Sequence, residues 1–210
     1  DDGSLAPPLE FLDAAERFAL SPDLGADRVF VYRFDAAKGT LLPHGAAPLD
    51  PGSGPRHLAF HPGGKHLYVI NELLSTITAF SYDAAQGALA PLQTVSTLPA
   101  GFSGTSWTAE VEVSRDGRFV YGSNRGDDSL AVFSVDPSTG RLSAAGHAPV
   151  GGKYPRHFTI DPTGRWVLAA HQNSGTIAVL KVDPATGVPV LTGATAKVDK
   201  PVCLLPVPGR

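Results

Sequence analysis

Methionine is absent from this chain of 210 residues, cysteine occurs once, and only 18% of the residues are charged. The single Cys203 excludes an intramolecular disulfide framework. A net charge of −3 argues against nucleic acid or an anionic membrane surface as the main partner. No apolar run approaches the ~20 residues of a membrane-spanning helix, so no membrane partner is expected. No basic-then-apolar leader opens the sequence, which points to a cytoplasmic location. Without a methionine, the start is expected to be processed, trimmed or internal. Long amphipathic helices are missing too, because no stretch sustains an apolar period of 3.6 residues. A Gly-x-Ser-x-Gly elbow, a phosphate-binding loop and a dinucleotide fingerprint are all lacking, so serine-hydrolase and nucleotide-dependent mechanisms have no support.

What is abundant is glycine and proline, 23 and 19 residues. One breaker in five positions implies short strands joined by turns. With 42% hydrophobic residues there is still material for a core, and the length suits one compact domain over residues 1–210. Residues 1–16 are expected to be irregular.

Self-similarity carries the architecture. The segments beginning at Asp23, Asn71, Asn124 and His171 all run through a strand-like stretch into Asp-x-x-x-Gly, with the aspartates at 35, 83, 136 and 183. Those aspartates lie 48, 53 and 47 residues apart. An all-strand period of this size is the mark of β-propeller blades. A sandwich has no need of the same turn four times. Each unit shows an inner strand (Arg56-HLAF, Glu110-VEV, Arg156-HFTI), a second (His66-LYVI, Phe119-VYGS, Trp166-VLAA), a third and a fourth. The first unit has no evident inner strand, whereas Lys200-PVCLLPV resembles an inner strand with nothing after it. The expected fold is all-β, a propeller of about four four-stranded antiparallel blades. Either three are whole and one is shared by the termini, or the chain is an open arc.

In such a blade the start of the first strand and the end of the second fall side by side on one rim of the axis. Those places hold Arg56, His57, Glu72, Glu110, Arg125, Arg156, His157 and His171. Arginine binds carboxylate or phosphate through its planar fork, and glutamate and histidine can move protons. The ring suits a small, anionic, oxygen-rich ligand; the plainer alternative is that Arg–Glu pairs tie neighbouring blades together. The histidines lack the close spacing of a metal site, so no metal is expected. His61 and His66 are expected to be solvated at a turn, Cys203 buried in an apolar strand, and Trp107 packed in the core.

The strings Gly54-PRHLAFHPGGKHLYVINE, Glu110-VEVSRDGRFVYGSNRG and Tyr154-PRHFTIDPTGR, with the recurring D-P-x-T-G turns, resemble the lactonase family of β-propellers. That family includes propeller-type 6-phosphogluconolactonases and carboxy-muconate lactonising enzymes. The resemblance extends over residues 23–205 and takes in the long segment Leu92-QTVSTLPAGFSGTSWTAEV. It implies a seven-bladed fold of which about four blades are present here, and a polar site on the axis. Arg56 and His57 match a Pro-Arg-His motif, Glu72 an Asn-Glu motif, Glu110 the Ala-Glu strand start, Arg125 the Ser-Asn-Arg-Gly motif and Arg156 a second Pro-Arg motif. By resemblance Arg56, Arg125 and Arg156 bind the substrate anion, Glu72 is the general base, and His57 and Glu110 assist. No cofactor is implied. A histidine-bearing strand of the family, just before the segment matching Arg17-FALS, has no counterpart here, and residues 10–22 read as a deletion junction. The implied activity is hydrolysis of a small sugar lactone such as 6-phosphogluconolactone. The alternatives are muconate cycloisomerisation, or a non-catalytic propeller that binds a small acid or a protein.

Overall fold

The computed structural model describes residues 11–206 and contains four sheets, each a sequential four-stranded antiparallel meander. The first blade is β1 (Phe11–Leu12), β2 (Phe18–Asp23), β3 (Arg28–Asp35) and β4 (Thr40–Pro48). The second is β5 (Pro55–Phe60), β6 (His66–Asn71), β7 (Thr76–Asp83) and β8 (Ala88–Ser96). The third is β9 (Thr108–Val113), β10 (Phe119–Asn124), β11 (Ser129–Val135) and β12 (Leu142–Pro149). The fourth is β13 (Pro155–Ile160), β14 (Trp166–His171), β15 (Thr176–Val182) and β16 (Pro189–Lys197). No helix among the described residues is long and apolar enough to cross a membrane.

Period-two alternation lets the second and third sheets bury both faces, against a blade on either side. In β6, Leu67 and Val69 pack on Phe18, Leu20, Val29 and Val31 of the first blade. The intervening Tyr68 and Ile70 pack on Val111, Val120 and Ala131 of the third. A third cluster joins Tyr121, Leu130 and Val132 to Phe158, Val167 and Leu180 of the fourth blade. No such cluster joins the fourth blade to the first among the described residues.

The Asp-x-x-x-Gly turns behave as their sequence implies. Each aspartate accepts two following amide N–H groups, as Asp136 Oδ1 does from Ser138 and Thr139 (2.8 and 3.1 Å). The closing glycines 39, 87, 140 and 187 all have φ between +62° and +75°. Three of them also back the neighbouring blade, because a Cβ at Gly87, Gly140 or Gly187 would run into Phe18, His66 or Phe119. His66 is thus the second blade's counterpart of those two phenylalanines, half-buried against a turn and not solvated. His61 is half-buried as well, its Nε2 3.1 Å from the Gly117 carbonyl of the third blade.

Five further expectations are corrected. The first blade has its own inner strand, because Phe11 and Leu12 pair with Leu20 and Ala19. Of the segment expected to be irregular, residues 1–10 lie outside the described residues, while 11–16 form this strand and its turn. Among the described residues the termini do not share a blade: 201–206 carry no strand pairing. Cys203 is exposed, and Trp107 is 37% exposed rather than core.

Candidate active site

The hairpins β5–β6, β9–β10 and β13–β14 bring their strand ends to the axis in equivalent registers. Pro55 pairs with Asn71, Thr108 with Asn124, and Pro155 with His171. One residue on stand Arg56, Ala109 and Arg156; two on stand His57, Glu110 and His157. Just past the second strand come Glu72, Arg125 and Gln172.

Glu72 is the focus. Its Oε2 takes Arg56 Nε of its own blade at 3.1 Å and Arg125 Nη2 of the next blade at 2.9 Å. Arg125 is only 4% exposed, and its Nη2 also donates to the Thr108 carbonyl at 2.7 Å. Its Nε is buried without a hydrogen-bond partner among the described residues. Tyr154 lies under the guanidinium, with Cζ 5.2 Å from the ring centroid.

Behind Arg56 runs a chain of bonds. Arg56 Nη1 donates to the Ala109 carbonyl at 2.6 Å and lies 3.0 Å from His57 Nε2. His57 Nδ1 is 2.8 Å from Glu110 Oε1, and His157 Nε2 is 3.1 Å from Glu110 Oε2. Arginine can only donate, so His57 Nε2 is the acceptor and its proton sits on Nδ1, toward Glu110. His157 Nδ1 accepts the Leu204 N–H at 3.3 Å, which places its proton on Nε2. One carboxylate thus receives an imidazole N–H from the second blade and has the His157 imidazole of the fourth beside its other oxygen. Burial holds the His157 imidazole below its usual pKa, although Glu110 opposes this. Burial, followed by the nearby Arg125, pulls the Arg56 guanidinium down from its ordinary value, which still leaves it charged.

The structure therefore gathers Arg56, His57, Glu72, Glu110 and Arg125 into one connected cluster. Arg156 stands at the edge, its Nη1 3.3 Å from Gln172 Oε1 in a paler copy of the Arg56–Glu72 pair. His171 does not join them. It is fully buried within the fourth blade at the position of Asn71 and Asn124, with Nδ1 3.1 Å from Thr176 Oγ1. No group of three or more side chains suited to a metal ion occurs among the described residues. Tyr154 escaped the sequence reading; its signal is an aromatic residue where the second blade has Gly54 before the same Pro-Arg-His.

The family described as "Lactonase, 7-bladed beta-propeller" matches residues 9–206. A 6-phosphogluconolactonase of Bacillus subtilis is 39% identical over 146 residues, 70% of this chain and 41% of that protein. One from Pectobacterium carotovorum is 37% identical, over 77% of this chain and 52% of its own length. Among solved structures, the periplasmic gluconolactonase of Pseudomonas aeruginosa superposes with a TM-score of 0.87 at 38% identity. That match covers 93% of this chain and 55% of the other. The chain spans about half the length of these relatives. It belongs to the lactonase family of seven-bladed β-propellers.

Proposed function

We propose that the axial cluster hydrolyses a small anionic sugar lactone, with 6-phosphogluconolactone as the first candidate. The observation that carries this reading is the Glu72 carboxylate, held by arginines of two blades, one of them nearly buried with an unpartnered Nε. Both cations address Oε2, and Oε1 has no hydrogen-bond partner among the described residues. The names of the 6-phosphogluconolactonase relatives favour the same chemistry.

In this scheme Arg56, Arg125 and Arg156 hold the anionic substrate, and the arginines nearest the carbonyl stabilise the oxyanion that forms there. Glu72 takes a proton from the attacking water through Oε1. Water adds to the lactone carbonyl, the ring C–O bond breaks, and the departing oxygen gains a proton to leave the open hydroxy acid. His57 and Glu110 are read as positioning groups. The imidazole already donates to Glu110 and accepts from Arg56, so the pair fixes the direction of the guanidinium and need not move protons on the substrate.

The test is Glu72→Gln, which keeps the size and an acceptor oxygen for the arginines but removes the base. Lactone hydrolysis above the spontaneous rate should fall about 100-fold or more in kcat, with the thermal transition retained. Equal rates for the variant and the wild type would overturn the assignment of Glu72.

A further inference from the structure

Tyr154 has φ +64°, in the left-handed region that a bulky side chain enters at a cost. The repeat shows what the backbone alone requires there. Gly54, at the same place before Pro55-Arg56-His57, has φ +62°. The two positions share their anchoring. The Gly54 N–H donates to Asp27 Oδ1 and the Tyr154 N–H to Asp128 Oδ1, both at 2.8 Å. Asp27 and Asp128 are themselves left-handed, at φ +49° and +54°. The fold thus calls for a left-handed residue with its N–H on an aspartate, and glycine meets that need in the second blade without strain. Lys200, before Pro201, is left-handed as well, at φ +44°.

What Tyr154 adds is its ring. The Arg125 guanidinium carbon sits 5.2 Å from the ring centroid, and Arg125 Nη1 lies 3.5 Å from the phenol oxygen. That oxygen is at the outer limit of a hydrogen bond, so the face of the ring is the main contact. The other side of the guanidinium is fixed by the Thr108 carbonyl and Glu72. Together the ring, the carbonyl and the carboxylate set the plane of the guanidinium and where its unpartnered Nε points. Backbone strain kept where glycine serves the equivalent position, at a residue whose ring lies on an arginine of the candidate site, points to a use for the side chain.

We infer that Tyr154 is a positioning residue, retained against backbone strain because its ring orients Arg125 for the substrate anion. The inference rests on the proposed role of Arg125. Its consequence runs opposite to that of an ordinary packing residue. Tyr154→Gly relieves the strained φ, so the protein should melt at the same temperature or higher, while the KM for 6-phosphogluconolactone should rise about three- to tenfold. Tyr154→Phe keeps the ring and should restore most of the lost affinity. The measurements are KM, kcat and Tm for the wild type, Tyr154→Gly, Tyr154→Phe, Arg125→Ala and the double variant Tyr154→Gly/Arg125→Ala. Within the double variant the glycine should add no further loss of kcat/KM. Unaltered kinetics in Tyr154→Gly, or a loss that merely follows a lowered Tm, would overturn the inference. If the wild type hydrolyses no lactone, the functional reading fails by itself. The Tm values of the four-member cycle then decide this inference: non-additive shifts support the Tyr154–Arg125 coupling, and additive shifts overturn it.

Discussion

Glu112 stands two residues along β9 from Glu110 and so on the same side of the strand, against the fourth blade. Its Oε2 accepts the Ile160 N–H at 2.9 Å, and burial pushes its carboxyl up to about 7. In the unfolded chain this group ionises near 4.5. Between those values the folded protein holds a proton that the unfolded chain has released, so the group's contribution to stability is full below pH 4.5 and lost as pH rises through 7. Glu112→Gln keeps an acceptor for Ile160 and removes the titration. We expect the variant to be more stable at pH 8 by on the order of 1–3 kcal/mol and to show a flatter stability profile between pH 4.5 and 7. Urea melts across that range check this; an unchanged profile would show that Glu112 ionises normally in the fold. At this scale the sequence showed the partners better than their parts. His57, Glu110 and His157 occupy one repeat position, which was legible, but that two imidazoles would share one carboxylate depends on the reach between blades. His171 occupies a repeat position too, yet it turns into its own blade as Asn71 and Asn124 do.

The turns are the elements most plainly written in the chain. Asp-x-x-x-Gly, four times over, gave the blade period and the links between third and fourth strands before any coordinate. The first hairpin was missed because one residue in its turn is disguised. The stretch Asp13-Ala-Ala-Glu16-Arg17-Phe18 is the turn of Asp161-Pro-Thr-Gly164-Arg165-Trp166, with glutamate in place of the glycine. The backbone bonds correspond: Asp13 N donates to the Phe18 carbonyl and Glu16 N to the Asp13 carbonyl, as Asp161 and Gly164 do in the fourth blade. Glu16 accordingly sits at φ +53°, against +71° for Gly164. Buried Asp13 holds the turn, its Oδ1 accepting the N–H groups of Arg17 and Phe18 at 2.7 and 3.1 Å. We therefore expect Glu16→Gly to stabilise the protein by about 0.5–1 kcal/mol, since relief of the left-handed strain outweighs the greater freedom of glycine when unfolded. A loss of stability in equilibrium denaturation would contradict this account of the turn. The misplacement of Cys203 has a similar origin. Lys200-PVC reads as an inner strand, and residues 203–204 do reach His157 on the axis, but no strand among the described residues pairs with them, and the thiol stays exposed.

On the scale of the whole molecule, the candidate site draws on the second, third and fourth blades and on the interfaces between them. Glu72 and Arg125 come from adjacent blades, as do His57, Glu110 and His157, so the packing that joins blades also sets the geometry of the site. The apolar clusters on either side of the third blade hold those hairpins in register. Among the described residues the first blade contributes none to the cluster. The role proposed for this set of residues, held by three consecutive blades, is lactone hydrolysis. The most direct test is the rate of 6-phosphogluconolactone hydrolysis, corrected for the spontaneous reaction, by the wild type and by Arg125→Ala. A wild-type rate above background that falls about 100-fold or more in the folded variant is the expected result. A folded wild type no faster than background, or an Arg125→Ala variant as fast as the wild type, would contradict the claim.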